Sequence, residues 1–411
     1  MASKLQDLIN RLCPNGVEYR KLGEIATDVF RGGGILRNQV TETGVPCVRY
    51  GEIYTTYGIW FDECVSHTKL EYIQSPKYFE HGDILFAITG ESVEEIAKST
   101  AYTGHERCLA GGDIVVLKHK QNPKYLAYAL STSGAQEQKS KGKVKSKVVH
   151  SSVPAIKDIL IPVPPLEVQS EIVQILDNFA ELTAELTAEL EKRKKQYEHY
   201  RRALLCGVES SELRVESSAW PMVKLGDVCE MKAGKAIAAV KISAELDEQH
   251  PVACYGANGF RGYVAEPNQD GDHCIIGRQG ALCGNVCFAS GRFYATEHAV
   301  VVTQLGKYDD RYLYHMLTEM DLNQYKSQGA QPGLSIGKLE ELSIPLPPLA
   351  EQRRIVSILD RFDRLCNDLT SGLPAEIAAR KKQYAYYRDK LLDFKPAPKG
   401  CGAASNRKGA A

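Results

Sequence analysis

IPVPPLEVQSEIVQILDNF, residues 161–179, returns as IPLPPLAEQRRIVSILDRF at residues 344–362, and this recurrence decides how the chain is organised. Pro164, Pro165, Leu166, Gln169, Ile172, Val173, Ile175, Leu176, Asp177 and Phe179 all meet the same residue in the second copy. Downstream, RKKQYEHYRRALL at 193–205 answers RKKQYAYYRDKLL at 380–392. Upstream, KLGEI at 21–25 answers KLGDV at 224–228, and a Pro-x-x-x-Tyr-Gly signal recurs at Tyr50 and Tyr255. Between these anchors the two blocks hardly match. Neutral drift after duplication would erode every part, whereas here the erosion is confined to the blocks, so a constant frame carries two different inserts.

The constant segment reads as a helix. Pro164 and Pro165 are tolerated at a helix start. Apolar residues follow at Ile172, Ile175, Leu176, Phe179, Leu182, Leu186 and Leu190, the spacing of a packed helical stripe. From Leu166 to Leu205 such a helix spans about 60 Å at about 1.5 Å per residue. The second copy repeats the stripe at Ile355, Ile358, Leu359, Phe362, Leu365, Leu369 and Leu373, which favours an antiparallel coiled pair. Between the anchors the first copy holds the tandem LTAELTAEL, residues 182–190, and the second holds LTSGLPAEIAA, where Gly372 and Pro374 imply a break or kink.

The expected layout is an N-terminal helical segment at 1–20, a first variable block at 21–163, a frame helix at 164–206, a linker at 207–222, a second block at 223–346, a second frame helix at 347–394 and a disordered tail at 395–411. The N-terminal segment has the same order as the linker before block two, a short amphipathic helix, Gly-Val-Glu, then Lys-Leu-Gly. The chain ends are therefore expected to meet, with pseudo-twofold symmetry. Asp83–Thr89, Asp113–Lys118, His273–Arg278 and Arg292–Val302 read as strands, and Asp310–Leu317 as a helix.

Formal charge is balanced, 51 basic against 51 acidic residues, so a nucleic-acid site has to arise from local patches. Twelve scattered cysteines without a secretory signal favour free thiols in a reduced cytoplasm. His273, Cys274, Cys283 and Cys287 lack paired CxxC spacing and read better as small buried residues than as a zinc site, so no metal is expected. Nucleotide-binding, zinc-protease and nucleophile-elbow motifs are missing, and no catalytic residue is assigned.

Two segments have the chemistry for DNA. Lys139, Lys141, Lys143, Lys145 and Lys147 form KSKGKVKSK, read as an exposed loop suited to phosphate neutralisation. The matching place in block two, residues 325–338, offers Lys326, Gln328, Gln331, Ser335 and Lys338, and glutamine reads adenine bidentately in the major groove. The turn Gly277–Gly280 adds Arg278 and Gln279, with guanine or phosphate as the partner of Arg278; a plain β-turn is the bland alternative.

The duplicated PPL..Q..IV.ILD.F frame, the tandem TAEL, the RKKQY segment and the two-block layout resemble the specificity subunit (HsdS) of type I restriction-modification systems, type IC in character. The resemblance implies an α+β fold in which two target-recognition domains of mixed α/β structure are separated by two long antiparallel coiled-coil helices. It implies double-stranded DNA as ligand, with each block reading half of a split target. It also implies docking of two modification (methyltransferase) subunits and of ATP-dependent restriction subunits. S-adenosylmethionine, ATP and Mg2+ then belong to those partners and no cofactor to this chain. Leu182, Leu186, Leu190, Gln169, Gln352, Tyr197 and Tyr384 are assigned to spacing and docking. The rival expectation is a coiled-coil scaffold that gathers proteins without reading DNA.

Overall fold

The computed structural model describes residues 2–140, 143–145, 148–206, 220–328 and 332–398. They form two compact units, Met1–Glu185 with Ala378–Ala411, and Leu186–Ile377.

Unit 1 is built on a five-stranded sheet in the order Ala26–Arg31, Ile114–His119, Ile84–Ala87, Ser99–Tyr102, Trp60–Phe61. Its two central strands are antiparallel, with Val115 opposite Phe86 and Leu117 opposite Ile84. Successive residues point to opposite faces. Val115, Leu117, Ile84 and Phe86 therefore join the core under the helix Pro123–Leu130, while Ile114, Val116, Leu85 and Ala87 join Phe79 and Tyr102 on the other side. Burial on both faces accounts for the unbroken apolar runs ILFA and IVVL.

Unit 2 repeats the plan with Cys229–Ala233, Ala299–Gln304, His273–Gly277 and Val286–Ala289 side by side. Cys274, Ile276, Val300 and Val302 face the helix Asp310–Glu319, and Ile275, Ala299 and Val301 face Phe293 and Ala295. The single run expected over Arg292–Val302 is two strands, Phe293–Ala295 and Ala299–Gln304, that belong to different sheets.

The first frame helix runs unbroken over Leu166–Cys206. The amides of Val168 and Gln169 donate to the Pro165 carbonyl at 3.0 and 3.1 Å, so the prolines sit at its entrance. The second frame helix is not continuous: it is two helices, Leu349–Asn367 and Leu373–Leu391. A Cβ on Gly372 would lie 2.4 Å from the Arg364 carbonyl oxygen, so only glycine lets the chain fold this close at the break. Asp368 then accepts from the Thr370 amide at 2.7 Å. In unit 2 Tyr197 stacks on Phe362 with ring centroids 6.1 Å apart, and Cys366 lies within electrostatic reach of Lys194 and Arg193, an antiparallel pairing. In unit 1 Phe179 stacks on Tyr387 at 5.6 Å.

The N-terminal helix is Ala2–Leu12. Beyond it Val17 donates its amide to the Lys395 carbonyl and accepts from the Ala397 amide, both at 2.9 Å, so the two ends of the described chain meet. A tail starting at Lys395 is thereby corrected, because backbone pairing holds the chain through Ala397. Residues 207–219 of the expected linker and 399–411 of the expected tail lie outside the described residues.

Candidate nucleic-acid interface

What orients each recognition block is a polar lock repeated in both units. Gln169 is fully buried; its Nε2 donates to the Pro164 carbonyl at 2.7 Å, and its Oε1 accepts from the Asn122 amide at 3.0 Å. Gln352 does the same in unit 2, donating to the Pro347 carbonyl at 2.8 Å and accepting from the Asp309 amide at 2.7 Å. Asn122 and Asp309 in turn cap the helices Pro123–Leu130 and Asp310–Glu319. About two turns further along the frame, Asp177 accepts from the Lys124 ammonium at 2.8 Å and the Tyr128 hydroxyl at 2.6 Å. Asp360 accepts from the Arg311 guanidinium at 2.8 Å and pairs with His315 Nε2 at 2.7 Å. Burial pushes the Asp360 carboxyl up, but the hydrogen bonds from His315 and Arg311 outweigh it and bring it down to about 2.

These contacts correct the assignment of Gln169 and Gln352 to partner docking. Their amides are consumed inside the units, where leaving either one unpaired costs about 1–3 kcal/mol. Leu190 and Tyr197 are likewise buried in unit 2, whereas Leu182 is exposed and Leu186 and Tyr384 are partly exposed.

In unit 2 three glycine-bearing segments converge at the end of the strand His273–Gly277. A Cβ on Gly277 would lie 1.8 Å from the Ala257 carbonyl oxygen, and one on Gly284 would lie 2.4 Å from the Asn323 nitrogen. Glycine is required at both contacts for the backbones to approach. Arg278 donates its amide to the His298 carbonyl and accepts from the Leu334 amide, both at 2.9 Å, and Gln279 bridges to Gly333. The result is a shallow cavity of about 280 Å³ lined by Arg278, Gln279, Ser327, Gly333, Leu334, Ser335 and Lys338. The buried Nε of Arg278 finds no acceptor among the described residues. A guanidinium, an amide, an ammonium and two hydroxyls thus share one concave surface, the donor set that meets guanine, adenine and phosphate oxygens.

The structure brings Arg278, Gln279, Ser335 and Lys338 together. Ser335 spends an acceptor on capping, taking the Lys338 amide at 3.3 Å. Lys338 Nζ donates to the Tyr325 carbonyl at 3.3 Å, and Lys326 Nζ to Asn323 Oδ1 at 2.8 Å. Gln328 is exposed, and Gln331 lies outside the described residues.

In unit 1 the lysine run is not one exposed loop. Lys139 is buried at the end of the helix Ser133–Lys139, donating to the Leu130 carbonyl at 2.7 Å and the Ser99 hydroxyl at 3.1 Å. Burial pulls its pKa down to about 7, so Lys139 is removed from the DNA-facing set. Lys143 and Lys145 belong to a strand, Lys143–Lys145, paired with Val148–His150, which pairs in turn with Thr89–Gly90. Lys141 and Lys147 lie outside the described residues.

Thr89 and His150 went unnoticed in sequence. Their signal was spacing: Ser152 and Ser335 stand equally far upstream of the repeated Ile161 and Ile344, as do His150 and Gly333. Both serines are helix N-caps, accepting from Ala155 and Lys338 amides. Cys274 and Cys283 are buried, and among the described residues no cluster of His, Cys, Asp and Glu has the form of a metal site. No helix among the described residues is long and apolar enough to cross a membrane.

Comparison with known proteins agrees with this architecture. Residues 14–193 and 217–379 match the family described as type I restriction modification DNA specificity domain. The EcoprrI specificity subunit of Escherichia coli is 47% identical over 225 residues, covering 52% of this chain and 55% of that protein. The EcoR124I/EcoR124II specificity subunit of the same organism is 34% identical over 266 residues, 58% of this chain and 63% of the relative. The matched region thus spans little more than half the length of these two relatives. The S subunit of a type I system from M. genitalium has the same fold, with TM-score 0.57 and 17% identity over 92% of this chain and 96% of that one. A chain from a type I R-M system solved for complex assembly and conformational transition has TM-score 0.59 and 19% identity, covering 92% and 98%. With both halves of the duplication matched, the chain belongs to the family of type I restriction-modification DNA specificity domains.

Proposed function

We propose that this chain is the sequence-reading subunit of a type I restriction-modification complex. Each unit binds one half of a split, asymmetric DNA target, and the frame helices set the number of base pairs between the halves. The observation that carries this reading is the duplicated polar lock. It presents two blocks of unrelated sequence from the same frame, with Gln169 and Asp177 in one copy answered by Gln352 and Asp360 in the other. A frame preserved this closely under divergent inserts suits one task, holding two different readers in register.

The chain supplies recognition and no chemistry. Modification subunits carrying S-adenosylmethionine dock on the frame and methylate adenine, and ATP- and Mg2+-dependent restriction subunits join that assembly in the cytoplasm. Lys143, Lys145 and Lys338 contribute phosphate contacts, which set affinity, and Arg278, Gln279 and Gln328 contribute base contacts, which set sequence choice.

The test is methylome mapping of a host expressing the chain with its modification partner, beside equilibrium binding at stated salt. A two-part motif with a fixed gap, bound at least about a thousand-fold tighter than random duplex, is expected. Binding that ignores sequence rejects the proposal and favours a scaffold.

A further inference from the structure

Unit 1 holds, at the place where unit 2 carries Arg278 and Gln279, a pair of side chains that nothing above has put to use. The correspondence is one of hydrogen bonds. In unit 2 the Arg278 amide donates to the His298 carbonyl, and its carbonyl accepts from Leu334, both at 2.9 Å. In unit 1 the Ile88 amide donates to the Asp113 carbonyl, and its carbonyl accepts from Ser151, again both at 2.9 Å. Ile88 therefore stands where Arg278 stands, and Thr89 where Gln279 stands. Across the ladder, His150 is the partner of Thr89 as Gly333 is the partner of Gln279. Two residues beyond, Ser152 and Ser335 cap the following short helices.

The side chains at these paired positions are complementary in size. Unit 2 has a long amide, Gln279, opposite a bare glycine, Gly333. Unit 1 has a short hydroxyl, Thr89, opposite a long imidazole, His150. Each bridge carries one long polar group, on opposite strands. Alternation turns Ile88 and Val149 into the core and leaves Thr89 half-buried and His150 exposed. The Thr89 hydroxyl and His150 Nδ1 are 3.3 Å apart, which orients the ring, and imidazole geometry then directs Nε2 away from that contact. The turn beneath is held close: a Cβ on Gly90 would lie 2.8 Å from the Tyr54 hydroxyl, itself bonded to the Ala87 carbonyl at 3.3 Å.

We propose that Thr89 and His150 form the base-reading pair of unit 1, at the position that Gln279 and Gly333 hold in unit 2. The ligand is the edge of one or two base pairs in one half of the target. His150 Nε2 exchanges a hydrogen bond with a base, and Thr89 offers its methyl to thymine or its hydroxyl to either groove edge. The strand Lys143–Lys145 pairs with the other edge of the strand that carries His150. This rests on the proposed function above, and the experiment separates the two.

The assembled complex of full-length chain and modification subunits is used to select bound duplexes from a randomised pool, with wild type beside His150→Ala, Thr89→Ala and Gln279→Ala. His150→Ala and Thr89→Ala are expected to lower discrimination about ten-fold at one or two positions of one half-target, leaving the other half read as before. Gln279→Ala is expected to do the reverse. The undisturbed half reports in the same selection that each variant is folded. If wild type selects a split motif and His150→Ala and Thr89→Ala select it with equal sharpness, the base-reading pair is wrong while the function stands. A loss uniform across all sequences overturns it too, as the mark of a phosphate contact. If wild type selects no split motif, the proposed function falls and the pair with it.

Discussion

The two locks are built on one plan and filled with different chemistry. In unit 1, Asp177 holds an ammonium and a phenol, Lys124 and Tyr128, with Lys124 Nζ 3.8 Å from the centre of the Trp60 ring. In unit 2, Asp360 holds a guanidinium and an imidazole, Arg311 and His315, with the guanidinium 4.8 Å from the Phe288 and Tyr314 rings. Position and geometry are kept while the donors change. The lesson is that the frame dictates an acceptor on the helix and a cation at a set place on the recognition block; any donor set that neutralises the half-buried carboxylate serves.

The comparison breaks most severely where the frame itself is altered. The first frame helix is continuous through its tandem TAEL, whereas the second is interrupted after Asn367. Deleting Thr187–Leu190 removes about one turn, roughly 6 Å, and is expected to shorten the preferred gap between half-targets by about one to two base pairs. Binding to the original gap then requires deforming the duplex, at a cost on the order of several kcal/mol. Selection from duplexes of varied gap measures this, and an unchanged gap rejects the ruler.

Next in size are the buried amides. Gln352→Ala leaves the Asp309 amide and the Pro347 carbonyl without their partner, and Gln169→Ala does the same to Asn122 and Pro164. Each is expected to cost about 2–4 kcal/mol in urea unfolding. Hydrogen exchange should locate the loosening in Asp310–Glu319 for the first and Pro123–Leu130 for the second. Equal loosening of both helices by either variant contradicts the reading of two separate locks.

The lock of unit 2 is in addition sensitive to acid. Asp360 sits below its ordinary range of 3.8, at about 2, so it contributes stability that is present above about pH 4 and lost as pH falls toward 2. Asp360→Asn is expected to cost about 1 kcal/mol at pH 7 after allowance for solvent screening, with the gap to wild type closing in acid. Urea melts across that range measure it, and a gap that widens in acid has the wrong sign.

The smallest effect concerns the lysines. Lys143→Ala with Lys145→Ala is expected to weaken binding uniformly and to reduce the slope of log affinity against log salt by about 2. Lys139→Met is expected to leave that slope unchanged, since its ammonium is bonded inside the unit.

Much of the frame was legible in the sequence because its signals are local. The period of Ile172, Ile175, Leu176 and Phe179 requires a helix with one apolar face, and Gly372 with Pro374 requires an interruption in the second copy. The DNA-facing set was legible in part. Arg278 and Gln279 stood out by residue type beside a glycine turn, and the structure gathers them with Ser335 and Lys338. Lys139 misled, because a charged run carries no mark of which member points inward; only the carbonyl of Leu130 and the hydroxyl of Ser99 make its burial tolerable. Gln169 and Gln352 misled because their backbone partners, Asn122 and Asp309, lie far away in the chain.

From the amino-acid sequence alone came the duplication, the helices it encodes and the two unlike inserts they carry, since periodicity and recurrence are properties of neighbouring residues. Tertiary structure alone decided which polar groups lock the blocks and which face outward. A buried amide or ammonium needs a partner, and here the partner is a backbone group from a distant part of the chain, Asn122 for Gln169 and Asp309 for Gln352, that no local pattern announces.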